Sequence, residues 1–299
     1  MKILCCGDLH AREKAPVCRI DDFFQTFLFK LNWIIDTEMN RKVEAVVFPG
    51  DVFDTFRASD FLKKTLIERL SNVLVVSGQH DQRHHSLDLS NTPLGVLEAA
   101  GAVNILSSRE YIMLLDEVSF YGSSWGEDIP EIKDKGRFNI LVTHQMIIKD
   151  DLLWPGQESF SRAKNLLRTT GFDLIISGDN HQFFMENVGD KWLINCGSLM
   201  RQSIDQTDHR PAVVLFDTKT RKPEIIYVPI KLSAEVMSLN EKEREVEKNE
   251  KLERYKEGLR SDSEYEGVDF VSNLGEYMEK EKIEKGVCDV IWEAVPGRN

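Results

Sequence analysis

The sequence has no uncharged apolar run approaching the roughly 18 residues a bilayer span requires, so no membrane segment is expected. Its first apolar stretch, Ile3 to Cys6, stops at Gly7-Asp8, so no leader peptide is expected there either. Cysteine is scarce. Cys5, Cys6, Cys18, Cys196 and Cys288 form no C-x-x-C pair, which argues against a structural thiolate zinc site. An odd set of free thiols points to a reducing, cytoplasmic setting, or the host cytoplasm if the protein is viral. Positive charge is also short, with 38 Lys and Arg against 50 Asp and Glu, net −12. A nucleic-acid binder should show a basic footprint. The deficit, however, divides into −6 up to residue 230 and −6 over residues 231–299. Carboxylates that hold divalent metals would bring the first part close to neutral, so net charge excludes nothing here. Internal repeats and low-complexity tracts are absent, a hydrophobic content of 41% argues against extended disorder, and 299 residues are enough for one large domain or a domain plus a small appendage.

Through residue 230, short apolar runs alternate with longer periodic segments. Lys2–Cys6, Ala45–Phe48, Val73–Val76, Ile140–Val142 and Leu174–Ile176 read as strands. Ile20–Met39 sets Phe23, Phe24, Phe27, Leu28, Leu31, Ile34 and Ile35 at helical spacing, and Asp60–Leu70 and Pro93–Ala100 read similarly. Strand–helix alternation with near-continuous hydrophobic strands implies an α/β sheet covered on both faces. Past Ala99 the pattern turns strand-rich. Hairpins are expected around Asp116-Glu117 and Gly189-Asp190, and a last pair at Ala212–Asp217 and Glu224–Pro229. A mixed sheet or two stacked sheets is therefore expected. Asn240–Arg260 is dominated by Glu, Lys and Arg, with Val246, Leu252, Tyr255 and Leu259 as a sparse seam, the pattern of a solvated helix. Phe270, Leu274, Tyr277, Met278, Val287, Ile291 and Val295 recur at helical spacing and predict a further helix or helix pair.

The chemistry lies in where acids and imidazoles fall. Asp8-Leu9-His10, Gly50-Asp51-Val52-Phe53-Asp54, Gly78-Gln79-His80-Asp81, Thr143-His144 and Gly178-Asp179-Asn180-His181 each follow one of five strands. Ligands in α/β sheets sit at such carboxyl-terminal edges. One Asp or His after a strand is ordinarily a turn or capping residue; the ordered set of five has no such explanation. Carboxylate with imidazole, and no thiolate, suits Mn2+, Fe2+ or Zn2+. Two such ions about 3.5–4 Å apart form the apparatus of in-line phosphoester cleavage.

These five motifs resemble the signature of the calcineurin-like metallophosphoesterases over roughly the first 230 residues. Gly50-Asp51-Val52-Phe53-Asp54 is similar to the nuclease subunit of SbcD-type (meiotic recombination) DNA-repair complexes. Gly197-Ser198-Leu199-Met200-Arg201-Gln202 and Asp208-His209-Arg210-Pro211 are similar to the bacteriophage branch of that family. The resemblance implies a four-layer α/β/β/α sandwich over residues 1–230 and a small, mainly helical capping and partner-docking region over 231–299. It implies two divalent ions, Mn2+ foremost and Mg2+ second. Asp8, His10 and His181 would hold metal 1, Asp51 would bridge, and Gln79, His144 and Asp179 would complete metal 2. His80 would stabilise or protonate the transition state, with Asp54 orienting its imidazole, while Asp81 would brace the loop.

Two positions depart from the family pattern: Gln79 stands where Asn is usual, and Asp179 where His is usual. Gln keeps the amide oxygen on a longer stem, and Asp supplies a harder, anionic donor, so both changes fall on metal 2 and favour Mn2+ over Zn2+. Arg201 and His84 are candidate substrate contacts, Arg201 as a phosphate clamp. An ordinary ion pair is an equal alternative for Arg201. His84, His85 and His209 suit surface or substrate loops. Trp125, Trp154 and Phe183 could stack bases, although packing is the commoner use of each.

The expected function is a two-metal phosphodiesterase acting on DNA, as exonuclease and also endonuclease, in a homodimer with an SbcC-type SMC-like coiled-coil ATPase. Two alternatives stand beside it. One is a phosphoprotein phosphatase or small-nucleotide phosphodiesterase. The other is a weakly active DNA-end-binding scaffold subunit, should Gln79 and Asp179 weaken metal 2.

Overall fold

The computed structural model describes residues 1–115, 117–149, 152, 157, 159–238 and 270–294. The chain divides into two compact units, Met1–Glu241 and Lys242–Asn299.

In the first unit, β1 (Lys2–Cys5), β2 (Ala45–Phe48) and β3 (Val73–Val75) are short apolar runs buried almost throughout. Between them lie α1 (Phe23–Arg41), capped by the Asp22 carboxylate on the Gln25 amide, and α2 (Asp60–Ile67), capped by Ser59 on the Leu62 amide. The segment α3 (Pro93–Ala99) opens with proline in its first turn behind the Thr92 cap and leads into β4 (Val103–Ile105). Next come β5 (Ile112–Leu114), β6 (Val118–Ser123) and β7 (Phe138–Thr143). The short β8 (Ile147–Ile148) pairs with β9 (Ser161–Arg162), which runs into α4 (Ala163–Thr169). The unit closes with β10 (Leu174–Ser177), β11 (Phe184–Val188), β12 (Lys191–Asn195), β13 (Ala212–Asp217), β14 (Lys222–Tyr227) and the single turn α5 (Ser233–Val236).

Two six-stranded mixed sheets result, in the orders β14-β13-β1-β2-β3-β4 and β11-β12-β10-β7-β6-β5. In the first, β1 to β4 run parallel and β13 and β14 are antiparallel additions. In the second, β6, β7, β10 and β12 are parallel and flanked by two antiparallel edges. Alternation along the strands sorts the side chains into layers. Ile3, Cys5, Val47 and Leu74 face Phe120, Ile140, Val142 and Ile176 in a core between the sheets. Leu4, Val46, Phe48 and Val75 point the other way, onto Phe27, Leu31 and Ile34 of α1 and Leu62 and Leu66 of α2. Tyr121, Leu141 and Ile175 pack outward against Leu166, Leu167 and Phe172. The stacked-sheet expectation and the four-layer α/β/β/α arrangement therefore both hold.

The element boundaries differ in instructive ways. Asp22 caps α1, so the helix begins at Phe23 rather than Ile20. The final strand starts at Lys222, two residues early, because Lys222 pairs with Asp217. The strands β4, β8 and β9 and the helix α4 carry too few residues for a visible period. The hairpins at residues 112–123 and 184–195 form as expected; Asp116 and Trp154 lie outside the described residues.

In the second unit, α6 (Phe270–Lys280) and α7 (Lys285–Ala294) form the expected helix pair. Leu274 and Met278 are buried, and a Cβ on Gly275 would rest 3.7 Å from the Trp292 ring. The seam at Val246, Leu252, Tyr255 and Leu259, and Val295, lie outside the described residues. Among the described residues no helix is long and apolar enough to cross a membrane.

Candidate metal centre

The strand ends converge because their connecting loops are laced to one another. After β1, the Asp8 amide bonds Gly197 O at 3.0 Å and the Asp8 carbonyl accepts from Leu199 N at 2.9 Å. The His10 and Ala11 amides then bond the carbonyls of Asp51 and Val52 at 2.8 and 2.9 Å. This short ladder sets Asp8, His10 and Asp51 side by side. From β3, the His80 amide bonds Asp51 Oδ1 at 3.0 Å. From the second sheet, His144 bonds Pro49 O through Nδ1 at 2.7 Å, and the Asp179 amide bonds Asp8 Oδ2 at 3.0 Å. Both sheets thus contribute to one edge.

His10 and Asp51 have φ 44° and Asp179 has φ 71°, a left-handed conformation unusual for residues with side chains. Such strain persists where surrounding bonds over-determine it, and it clusters at functional sites. Gly178 admits this packing: a Cβ there would stand 2.5 Å from Asp8 Oδ1 and 2.7 Å from His144 Nδ1.

Asp51 Oδ2 is the hub. It lies 3.3 Å from His144 Nε2, 3.6 Å from His10 Nε2 and 4.0 Å from His80 Nε2. His10 Nε2 and His181 Nε2 approach to 3.1 Å, and His181 Nε2 is 3.8 Å from Asp8 Oδ2. Two triads, Asp8–His10–His181 and His10–Asp51–His80, each keep their ligand atoms within 4.8 Å of one another. Gln79 donates through Nε2 to Asp179 Oδ1 at 3.1 Å, so the two residues that depart from the family pattern are bonded to each other.

Divalent cations fit this donor set. Asp8 Oδ1, Asp51 Oδ2, Gln79 Oε1 and His144 Nε2 are all buried and make no hydrogen bond among the described residues, the Asp51–His144 pair meeting only as an ion pair at 3.3 Å. Buried polar atoms are ordinarily satisfied. Three acceptor oxygens and an imidazole nitrogen left open together are what a borderline-hard cation completes.

The electrostatics agree. Burial, then the nearby Asp51 and Asp179, push the Asp8 carboxyl well above its usual range, despite His144. Burial opposes ionisation of Asp51 too, but His144, His10 and His80 overcome it and hold its carboxyl low. Burial alone would depress His144, whereas Asp51, Asp8 and Asp179 raise it to about 10. Desolvation, followed by the neighbouring His10, lowers His181 to about 4, leaving its imidazole neutral and ready to ligate. Metal-free, the site keeps Asp51 ionised and stores protons on Asp8 and His144, protons that a divalent charge would displace.

The remaining sequence-predicted residues separate. Asp81 is a brace: its carboxylate accepts from the amides of Val52, Phe53 and Gly78 at 3.2, 2.9 and 3.0 Å. Asp54 does touch His80, but through its main-chain carbonyl, 2.9 Å from Nδ1. Its carboxylate turns instead to His10 Nδ1 at 3.6 Å and to the Arg12 guanidinium at 2.9 Å. The tight turn after Phe53 brings the carbonyl inward and leaves the side chain to the neighbouring loop. Arg201 is buried and bonds the carbonyls of His209 and Lys231 at 2.8 and 3.2 Å. His84 is exposed beyond His80, and His209 bonds Ser198 O at 2.6 Å. Phe183 packs against the core between the sheets.

Sequence reading missed the props under the loop that follows β12. Lys30 Nζ bonds Leu199 O at 2.8 Å, and Arg19 bonds Arg201 O at 3.0 Å and Asp21. The signal was present: Lys30 stands on the buried stripe of α1 with Phe27, Leu31 and Ile34, where a cation needs a partner.

Comparison with known proteins adds ancestry to this geometry. Residues 1–183 match the calcineurin-like phosphoesterases. The chain is 24% identical over 286 residues to the DNA double-strand break repair protein Mre11 of Sulfolobus acidocaldarius, covering 88% of this chain and 72% of that one. With Mre11 of Methanosarcina acetivorans the identity is 26% over 230 residues, 70% of this chain and 36% of that one. With Mre11 of Halobacterium salinarum it is 26% over 227 residues, 70% and 54%. The chain thus spans less than two thirds of the latter two. A solved structure of Vps29 from Entamoeba histolytica aligns over 76% of this chain and 99% of that one, at 16% identity and TM-score 0.37, too distant to carry an argument.

Proposed function

Since this chain belongs to the calcineurin-like phosphoesterase family, we propose that it is a divalent-metal-dependent phosphodiesterase that cleaves DNA from ends and internally. The observation that carries the metal-dependent chemistry is the set of open, buried acceptors Asp8 Oδ1, Asp51 Oδ2 and Gln79 Oε1 at one sheet edge. The choice of DNA is supported by the relatives named for double-strand break repair.

Asp8, His10 and His181 would hold one ion and Gln79, His144 and Asp179 the other, with Asp51 shared. When bound, such a pair supplies Lewis acidity and lowers the pKa of coordinated water. The chain's own residues do the rest. Pro49 O fixes the His144 ring so that Nε2 faces Asp51. Asp54 O fixes His80 at Nδ1, which leaves Nε2 of this half-exposed ring to exchange a proton with the leaving oxygen. Mn2+ is the favoured ion and Mg2+ the second, on the hardness of Asp179 and Gln79 oxygens.

We further place residues 231–299 as the capping and docking region for an SbcC-type coiled-coil ATPase, the nuclease as a homodimer, and the assembly in the cytoplasm. Substrate comparison tests the enzymatic reading. Mn2+-loaded protein should release nucleotides from linear DNA and hydrolyse phosphodiesters faster than phosphomonoesters. Cleavage of monoesters alone would make it a phosphatase, and a single ion per chain at saturating Mn2+ a scaffold. Co-purification with the ATPase should be lost on deleting residues 268–299; retained binding would refute the docking assignment.

A further inference from the structure

Just beyond His80 the chain makes a tip that neither the metal centre nor the core accounts for. Its stem is rigid. Asp81 holds three amides, and the buried Gln82 side chain donates to Ser77 Oγ at 3.1 Å and Trp125 O at 2.9 Å. The tip, Arg83-His84-His85, is exposed. His84 and His85 both lie in the left-handed region, at φ 53° and 59°. Glycine or asparagine would occupy those positions at lower strain. Two adjacent imidazoles are thus held in left-handed backbone at the exposed tip.

Each ring sits by a second π-face. The His84 centroid is 5.6 Å from that of Phe56, and the His85 centroid is 4.7 Å from that of Trp125. The Arg57 guanidinium lies 5.2 Å over Phe56. Phe56 and Trp125 are half-buried, and the ring planes are tilted by 55° in the first pair and 38° in the second. Arg57 and Arg83 have no carboxylate within ion-pair distance among the described residues. In a chain of net charge −12, this rim is a local patch of cations and π-faces beside the exposed His80.

We propose that the Phe56–His84 and His85–Trp125 pairs are stacking platforms for unpaired bases flanking the scissile phosphate, with Arg57 and Arg83 reading the adjoining phosphates. The inference rests on the nucleic-acid reading above and deepens it: the enzyme engages single-stranded or frayed ends rather than intact duplex. Stacking on aromatic faces is sequence-tolerant and contributes about tenfold in affinity per base, so no base preference is expected.

The test separates bases from backbone. Binding of a labelled single-stranded oligonucleotide is measured by fluorescence anisotropy in metal-free protein, beside an oligonucleotide with the same phosphates but abasic sites at its end. Wild type should bind the ordinary strand at least about tenfold more tightly than the abasic one. In the double variant His84→Gly/His85→Gly, which suits the left-handed backbone, that ratio should fall toward unity while abasic binding holds. A ratio unchanged in the variant, or near unity in wild type, overturns the stacking proposal and leaves the nuclease reading standing if Mn2+-loaded wild type still cleaves DNA. Absence of both binding and cleavage overturns the two together. A second variant, Arg57→Gln/Arg83→Gln, should weaken both strands alike; selective loss of the ordinary strand there would contradict the assigned division of roles.

Discussion

Two polar clusters meet the Gly197–Arg201 backbone, and they are built on opposite rules. Under the loop, Lys30, Arg19, Arg201 and His209 each donate to a carbonyl of residues 198–231. Every one of these donors is answered by oxygen. In the other cluster, Asp8, Asp51, Gln79 and His144 each present an atom that makes no hydrogen bond among the described residues. Both clusters are buried and both bring together groups of like character. The braced cluster is architecture because it is complete. The other is incomplete, and it differs from the isolated unpartnered atoms at Arg69, Ser119 and Asn139 in bringing four such atoms from four strand ends together.

Substitutions can break this contrast from either side. The largest effect is expected at the hub: Asp51→Asn should lower Mn2+-dependent activity more than about 100-fold, exceeding the loss seen when only outer supports of a metal site are removed. Near-native kinetics of purified Asp51→Asn would remove the basis for a shared carboxylate. Gly178→Ala should lower Mn2+ affinity by about 10- to 100-fold, because the added carbon intrudes on Asp8 and His144; equilibrium dialysis reads this directly, and an unaltered affinity would show that the two side chains can yield.

Protons sharpen the comparison further. Without a cation, His144 stays protonated up to about pH 10. Binding Mn2+ must expel that proton, so affinity should rise with pH below that value. Calorimetric titrations in buffers of different ionisation heat should report proton release, and buffer-independent heats would contradict it. On the braced side the pKa shift runs the opposite way, while the pH trend keeps its sign. Burial, then Arg19 and Arg201, lower Lys30 to about 7. Above that pH the unfolded chain binds the extra proton, so the native state gains stability as pH rises toward the ordinary lysine value. Lys30→Met should cost about 1–3 kcal/mol by orphaning Leu199 O, and the deficit against wild type in urea melts should widen with pH. The smallest effect is expected for Asp54→Ala. His80 keeps its carbonyl partner in that variant, so the pH dependence of turnover should persist, with activity reduced about tenfold through His10 and Arg12.

Much of this was legible in the sequence for a physical reason. Strands buried on both faces are continuous apolar runs, and the residue after each is free to be chosen for chemistry, so Asp8, Asp51, His80, His144 and His181 stand out from their surroundings. The illegible parts depend on contacts distant in the chain. Nothing near Arg201 says that its partners are the carbonyls of His209 and Lys231. Nothing near Asp54 says whether carbonyl or carboxylate will face His80. The bond between Gln79 and Asp179 spans 100 residues and needs the fold to form. Lys30 lay between these extremes: its oddity on an apolar stripe was visible, its partner was not.

The candidate ligands at the open edge come from both sheets, β1, β2 and β3 supplying Asp8, His10, Asp51 and Gln79, and β7 and β10 supplying His144, Asp179 and His181. A cation seated there is a rivet through two plates. Amide exchange at the ends of β3 and β10 should therefore slow in step on Mn2+ addition, although the two strands share no hydrogen bond, and the melting temperature should climb with the logarithm of ion concentration.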